Sequence, residues 1–193
     1  MSENTTGVLK SLIETRNKRA EQAFWNAGQR LDYTATAPLH YSTPHMPTYT
    51  VTVANLSLTA EQENFIAGAI TESHQANTGA PGFFAQVFFN ATAAGKHFIG
   101  GKISLTSQVF VHGLIRAGRS ADAKSNLIKD IAEKVAEIAG LRPEDVWVYL
   151  QDIPAAQMVE FGRVLPEPGA EQEWLQGLSP RKIRELTDAG VLG

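Results

Sequence analysis

PTYTVTV, residues 47–53, decides the fold, because its alternation of apolar and polar positions recurs further along the chain. QVFVHGL begins at 108, an offset of 61 residues. TAEQENFIAGAI begins at 59 and SADAKSNLIKDI at 120, and AQVFF begins at 85 and VWVYL at 146, with the same offset. Ile66 aligns with Leu127, Ile70 with Ile131 and Val87 with Val148. Each copy reads as strand, helix, strand, since side chains alternate faces along a strand and return every three to four residues along a helix. Thr59 with Gln62 three residues on forms a capping box, and Ser120 is the matching N-cap of the second helix. Leu127, Ile128, Ile131, Val135 and Ile138 form one apolar stripe. Strand, helix and strand in this order suit a right-handed parallel crossover. The expected class is therefore α/β (α+β): duplicated β-α-β units in a four-stranded sheet with both helices on one face. The other face keeps apolar positions, which points to an oligomer.

Around this body, residues 47–165, stand two further segments. Residues 1–46 carry Leu9, Leu12, Ile13, Ala20 and Phe24 at helical spacing, followed by a Thr-, Ser- and Pro-rich linker at 33–45. Residues 166–193 form a tail with a short helix, capped by Ser179, opened by Pro180 and ended by Gly190.

The chain has 193 residues, 43% hydrophobic and 19% charged, with a formal net charge of −3. That balance supports a packed core and gives no reason to expect nucleic acid or an anionic membrane as partner. With no cysteine, disulfides, thiolate nucleophiles and Cys-based zinc sites are excluded. No apolar run is long enough to cross a bilayer, and MSENTTGVLK lacks the features of a secretory signal. A soluble, cytoplasmic protein is expected. No Walker loop or dinucleotide fingerprint is present, and His40, His45, His97 and His112 show no metal-ligand spacing. Neither cofactor nor metal is expected.

Six residues are candidates for chemistry. Arg116 and Arg119 in IRAGRSAD lie between a strand and the Ser120 cap, where two guanidiniums and a helix N-terminus suit a carboxylate or phosphate; two exposed loop arginines would look the same. His74 lies on the apolar stripe of the first helix, where the repeat has Val135. It reads as a satisfied core histidine or as part of a site. Tyr149 on VWVYL reads first as strand packing. Glu160 in AQMVEFGR would have a raised pKa if buried and would mean nothing if exposed. Pro47 reads as an edge-strand proline within the chain. At a chain's first position the same residue would carry a secondary amine able to exchange a proton near neutrality.

From Met46 to about residue 178, roughly two thirds of the chain, the sequence resembles the tautomerase superfamily, in particular its cis-3-chloroacrylic acid dehalogenase branch. The resemblance is carried by MPTYTV, AITESHQANTG, FVHGLIRAGRSAD, VWVYLQDIP and QMVEFGRVLPEPG. It implies a tautomerase/MIF-like protomer, a homotrimer and an amino-terminal catalytic proline. That proline would be Pro47; the substrate-binding histidine, His74; the carboxylate-binding arginines, Arg116 and Arg119; and the water-activating pair, Tyr149 and Glu160. The implied reaction adds water to small unsaturated carboxylates, 3-halo or acetylenic. The alternatives are a keto–enol tautomerase of enolpyruvates and, if Pro47 stays internal, a non-enzymatic trimeric binding protein. Two departures stand out: the loop TGAPGFF at 78–84, and residues 1–46, which place the Pro47 nitrogen in an amide.

Overall fold

A computed structural model describes residues 47–79, 85–167 and 170–189. The expected leader helix and linker, most of the 78–84 loop and the Gly190 helix stop lie outside the described residues.

The first unit is β1 (Thr48–Ala54), α1 (Ala60–Thr78) and β2 (Gln86–Ala91). A hairpin of β3 (Phe98–Ile99) and β4 (Lys102–Ile103) leads to the second unit: β5 (Gln108–Arg116), α2 (Ala121–Ala139) and β6 (Val146–Ile153). A second hairpin, β7 (Val159–Glu160) and β8 (Arg163–Val164), precedes α3 (Glu171–Gln176) and α4 (Pro180–Asp188). The main sheet runs β2-β1-β5-β6. Each outer strand is parallel to its neighbour, and β1 and β5 pair antiparallel at the centre with Val51 opposite Val111.

The helix boundaries follow from local chemistry. Thr59 Oγ1 accepts from Gln62 N–H at 3.1 Å and Gln62 Oε1 accepts from Thr59 N–H at 3.0 Å, satisfying two orphan donors of α1. Ser120 Oγ accepts from Ala123 N–H at 3.1 Å on α2. Both helices end at a glycine in the left-handed region, Gly79 (φ 71°) and Gly140 (φ 68°), where a Cβ would be strained. Their stripes, Ile66 and Ile70 with Leu127, Ile131 and Val135, pack with Tyr49, Val51, Val109, Val111 and Ile115 of the sheet in one core.

The repeat needs one correction. The offset of 61 aligns the helices and the closing strands, but the opening strands align at 62, so that Tyr49 corresponds to Val111 and Val53 to Ile115. These residues all face the core, whereas an offset of 61 would match Tyr49 with Phe110 on the opposite face. The cause is loop length: residues 55–59 join β1 to α1, and only residues 117–120 join β5 to α2. A shift of one residue turns every side chain of a strand over.

The outer sheet face carries Thr48, Thr50 and Thr52 beside exposed Phe88, Trp147 and Tyr149. A smaller cluster of Ala155, Leu165, Trp174 and Leu178 ties α3 to the second hairpin, with Trp174 Nε1–H donating to Val164 O at 2.8 Å. Ser179 Oγ caps α4 by accepting from Lys182 N–H at 3.2 Å. Among the described residues no helix is long and apolar enough to cross a membrane.

Candidate active site

Pro47 stands immediately before β1 and is fully buried. Its carbonyl accepts from Gln86 N–H at 3.0 Å, the first rung between β1 and β2. Because Thr48 pairs with Leu114 across the antiparallel centre, the C-terminal end of β5, with Arg116, lies beside the entrance of β1.

Arg116 is only 3% exposed, and its Nη1 donates to Pro166 O at 2.6 Å. Arg119, in the link before Ser120, donates from Nη1 to Thr78 O at 2.8 Å, at the negative end of the α1 dipole. Both guanidiniums are therefore anchored by main-chain carbonyls rather than waving in solvent.

His74, on the core stripe of α1, is 2% exposed. Its Nδ1 lies 2.8 Å from Tyr49 Oη, with the rings edge-on at 74°. Nε2 is buried and has no hydrogen-bond partner among the described residues. Burial lowers the imidazole pKa to about 4, so the ring is neutral at neutral pH. Burial also raises the Tyr49 hydroxyl well above its usual value, keeping it protonated.

Glu160 closes β7, one residue before a tight turn in which both Phe161 (φ 50°) and Gly162 (φ 79°) are left-handed. Paired left-handed residues match the twist of a two-residue hairpin, but a phenylalanine there is unusual and holds the loop in a strained form. Burial raises the Glu160 carboxyl to about 7, against the opposing pull of the Arg116 charge. One of its oxygens is buried without a partner among the described residues. The residue lines a cavity of about 410 Å³ with Thr48, Gln86, Met158, Val159 and Phe161. Glu160 and Arg116 thus meet at the end of the sheet where Pro47 begins β1, and Tyr49 links His74 to the same strand end.

Tyr149 stands apart. Its neighbours Val148 and Leu150 pack against the core, so Tyr149 projects from the opposite sheet face. It is 57% exposed and edge-on to Phe110 at 5.1 Å. Within one protomer it does not join Pro47 and His74. Tyr49 is the site residue that sequence reasoning passed over. Its signal was the valine at the matching place in the repeat, hidden until the one-residue shift was known.

Among the described residues no group of three His, Cys, Asp or Glu side chains is placed to hold a metal ion. Glu160 lies within reach of the Arg116 charge, His74 is joined to β1 through Tyr49, and Arg119 lies against the C-terminal end of α1; a carboxyl poised near neutrality beside a buried cation suits moving a proton.

The family model described as "Putative oxalocrotonate tautomerase enzyme" matches residues 46–177. The crystal structure of N1, a member of the cis-3-chloroacrylic acid dehalogenase (cis-CaaD) family, is 37% identical, covering 72% of this chain and 99% of its own, with a TM-score of 0.64. This chain belongs to the tautomerase superfamily, in its cis-3-chloroacrylic acid dehalogenase branch. Native Ps01740 is a more distant tautomerase-fold neighbour at 27% identity, covering 58% of this chain and 99% of its own, with a TM-score of 0.55. A native fused 4-OT, at 20% identity and a TM-score of 0.57 over 61% of this chain and 94% of its own, shares the fold. No curated protein sequence matches this tautomerase-superfamily chain.

Proposed function

We propose that this domain, once the Pro47 nitrogen is free, adds water to a small unsaturated carboxylate. Arg116 and Arg119 hold the carboxylate and draw electron density toward it, aided by His74, which makes the β-carbon electrophilic. Glu160, with Tyr149, takes a proton from water as its oxygen bonds to the β-carbon. The ammonium of Pro47 delivers a proton to the α-carbon, completing the addition. With a 3-halo substrate, the hydroxyl and halogen share one carbon; loss of halide and a proton leaves malonate semialdehyde.

The observation that carries this reading is the Glu160 carboxyl, buried in the cavity wall beside the entrance of β1 and raised to about 7. A base near the working pH combines an adequate ionised fraction with useful proton affinity. Other fused 4-OT proteins were solved as trimers, and we extend that assembly to this chain. Since Tyr149 projects from the far sheet face, a Tyr149 acting at the cavity comes from a neighbouring copy.

The test compares a chain beginning at Pro47 with the full chain on 3-haloacrylates, propiolates and enolpyruvates. Turnover by the trimmed chain, abolished in Pro47→Ala, is expected. Retained activity in Pro47→Ala removes the proline from the mechanism. Preference for enolpyruvates assigns the site to keto–enol exchange instead. Inactivity of both chains leaves an anion-binding protein.

A further inference from the structure

We propose that Tyr49 is a positioning residue: its hydroxyl fixes His74 as the tautomer whose proton sits on Nε2, so that the imidazole presents one N–H donor to a substrate oxygen. This rests on the reading of His74 as a substrate-binding residue.

A count of hydrogen-bonding capacity separates the two tautomers. Tyr49 is fully buried, and among the described residues its hydroxyl has one partner, His74 Nδ1 at 2.8 Å. If Tyr49 O–H donates to Nδ1, the ring proton lies on Nε2, and a single buried donor awaits an acceptor. If Nδ1–H donates to Tyr49 instead, the tyrosine proton and the Nε2 lone pair are both left unmatched. Buried polar groups go unpaired rarely and at a cost, so the first arrangement is favoured. The imidazole is neutral at this depth, so it has only one proton to place. A neutral N–H adds a donor without adding a second buried cation to that of Arg116.

The second unit shows that the core does not require the polar groups of this pair. At the matching places of the second unit stand Val111 and Val135, both fully buried in the same core. The β-α-β unit therefore closes without hydroxyl or imidazole, and the two polar members occur together in one unit and are replaced together in the other. The sheet also makes room for the tyrosine ring. A Cβ on Gly113, opposite Tyr49 on β5, would lie 2.5 Å from Tyr49 Cε1 and 2.6 Å from Leu150 Cδ2. Glycine at 113 lets the ring lie across the strand and carry its hydroxyl to His74.

The experiment is ¹⁵N NMR of the imidazole nitrogens in the full-length chain at neutral pH, with the His74 signals assigned by their loss in His74→Asn. The expected spectrum has a protonated Nε2 and an unprotonated, hydrogen-bonded Nδ1. In Tyr49→Phe, which removes only the hydroxyl, the Nδ1 resonance moves and the Nδ1–H tautomer becomes populated. Gly113→Ala, which displaces the ring, shifts the signals the same way. A wild-type proton on Nδ1 overturns the proposal, as does a Tyr49→Phe spectrum identical to wild type. Should Tyr49→Phe fail to fold, the wild-type spectrum and Gly113→Ala still decide. No substrate enters the measurement, so an Nε2–H signature in a chain inactive on every carboxylate would sink the functional reading alone.

Discussion

Acidification from about pH 7 to about pH 5 should remove about 2 kcal/mol of folding stability through His74 alone. The unfolded imidazole titrates at 6.5 and the folded one at about 4. Because burial depresses the folded value, the neutral ring's contribution is fully present above 6.5 and is lost as the pH falls through 4. At about 1.4 kcal/mol per pH unit, the whole gap is worth roughly 3 kcal/mol, of which about 2 kcal/mol has gone by about pH 5. His74→Val, which installs the residue found at position 135, abolishes this loss. The variant leaves the Tyr49 hydroxyl without its partner, lowering stability by about 1–3 kcal/mol at every pH, but that offset does not change the slope. Glu160 titrates in the opposite sense: its raised value stabilises below 4.5, and that contribution fades as pH rises through about 7. It is common to both proteins and cancels in the difference. The assay is urea unfolding followed by far-ultraviolet circular dichroism at several pH values. A difference between wild type and His74→Val that stays constant from pH 7 to pH 5 would refute the assignment of a buried, neutral imidazole.

Two further outcomes are expected. In a chain beginning at Pro47, Glu160→Gln lowers hydration kcat by on the order of 10²- to 10⁴-fold, and wild-type kcat/KM declines as pH drops below about 7, where the basic carboxylate is lost; a flat profile would exclude Glu160 as the base. Gly113→Ala destabilises the fold by about 1–3 kcal/mol through overpacking against Tyr49 and Leu150, read as a lower urea midpoint; an unchanged midpoint would show that the ring yields freely.

Much of the fold was legible because its signals are local. Thr59 with Gln62, and Ser120, specify helix starts through bonds spanning three residues, and the Ile66–Ile70 and Leu127–Ile131 stripes carry the helical period within each segment. The register of the opening strands was not legible. PTYTVTV and QVFVHGL both alternate, and a period of two cannot distinguish an offset of 61 from 62; the extra residue between β1 and α1 decides it. At the site, the positions of Arg116, Arg119 and His74 followed from element ends and helical spacing. The burial of Glu160 did not, because it depends on how the second hairpin lies against β1. Tyr149 could be assigned to a strand, and the alternation of Val146, Val148 and Leu150 fixes its face, but its distance from the cavity is a property of the assembled sheet. Tyr49 was overlooked because an aromatic at an inward strand position already has an adequate reason to be there.

The way Pro47 enters the sheet has a consequence for the chain's amino side. Proline has no N–H, so the ladder begins with its carbonyl and asks nothing of its nitrogen. Among the described residues, scission of the 46–47 bond would delete no rung between strands. The ladder is thus indifferent to whether that atom belongs to an amide or to a free secondary amine, and the two forms differ where reactivity is set.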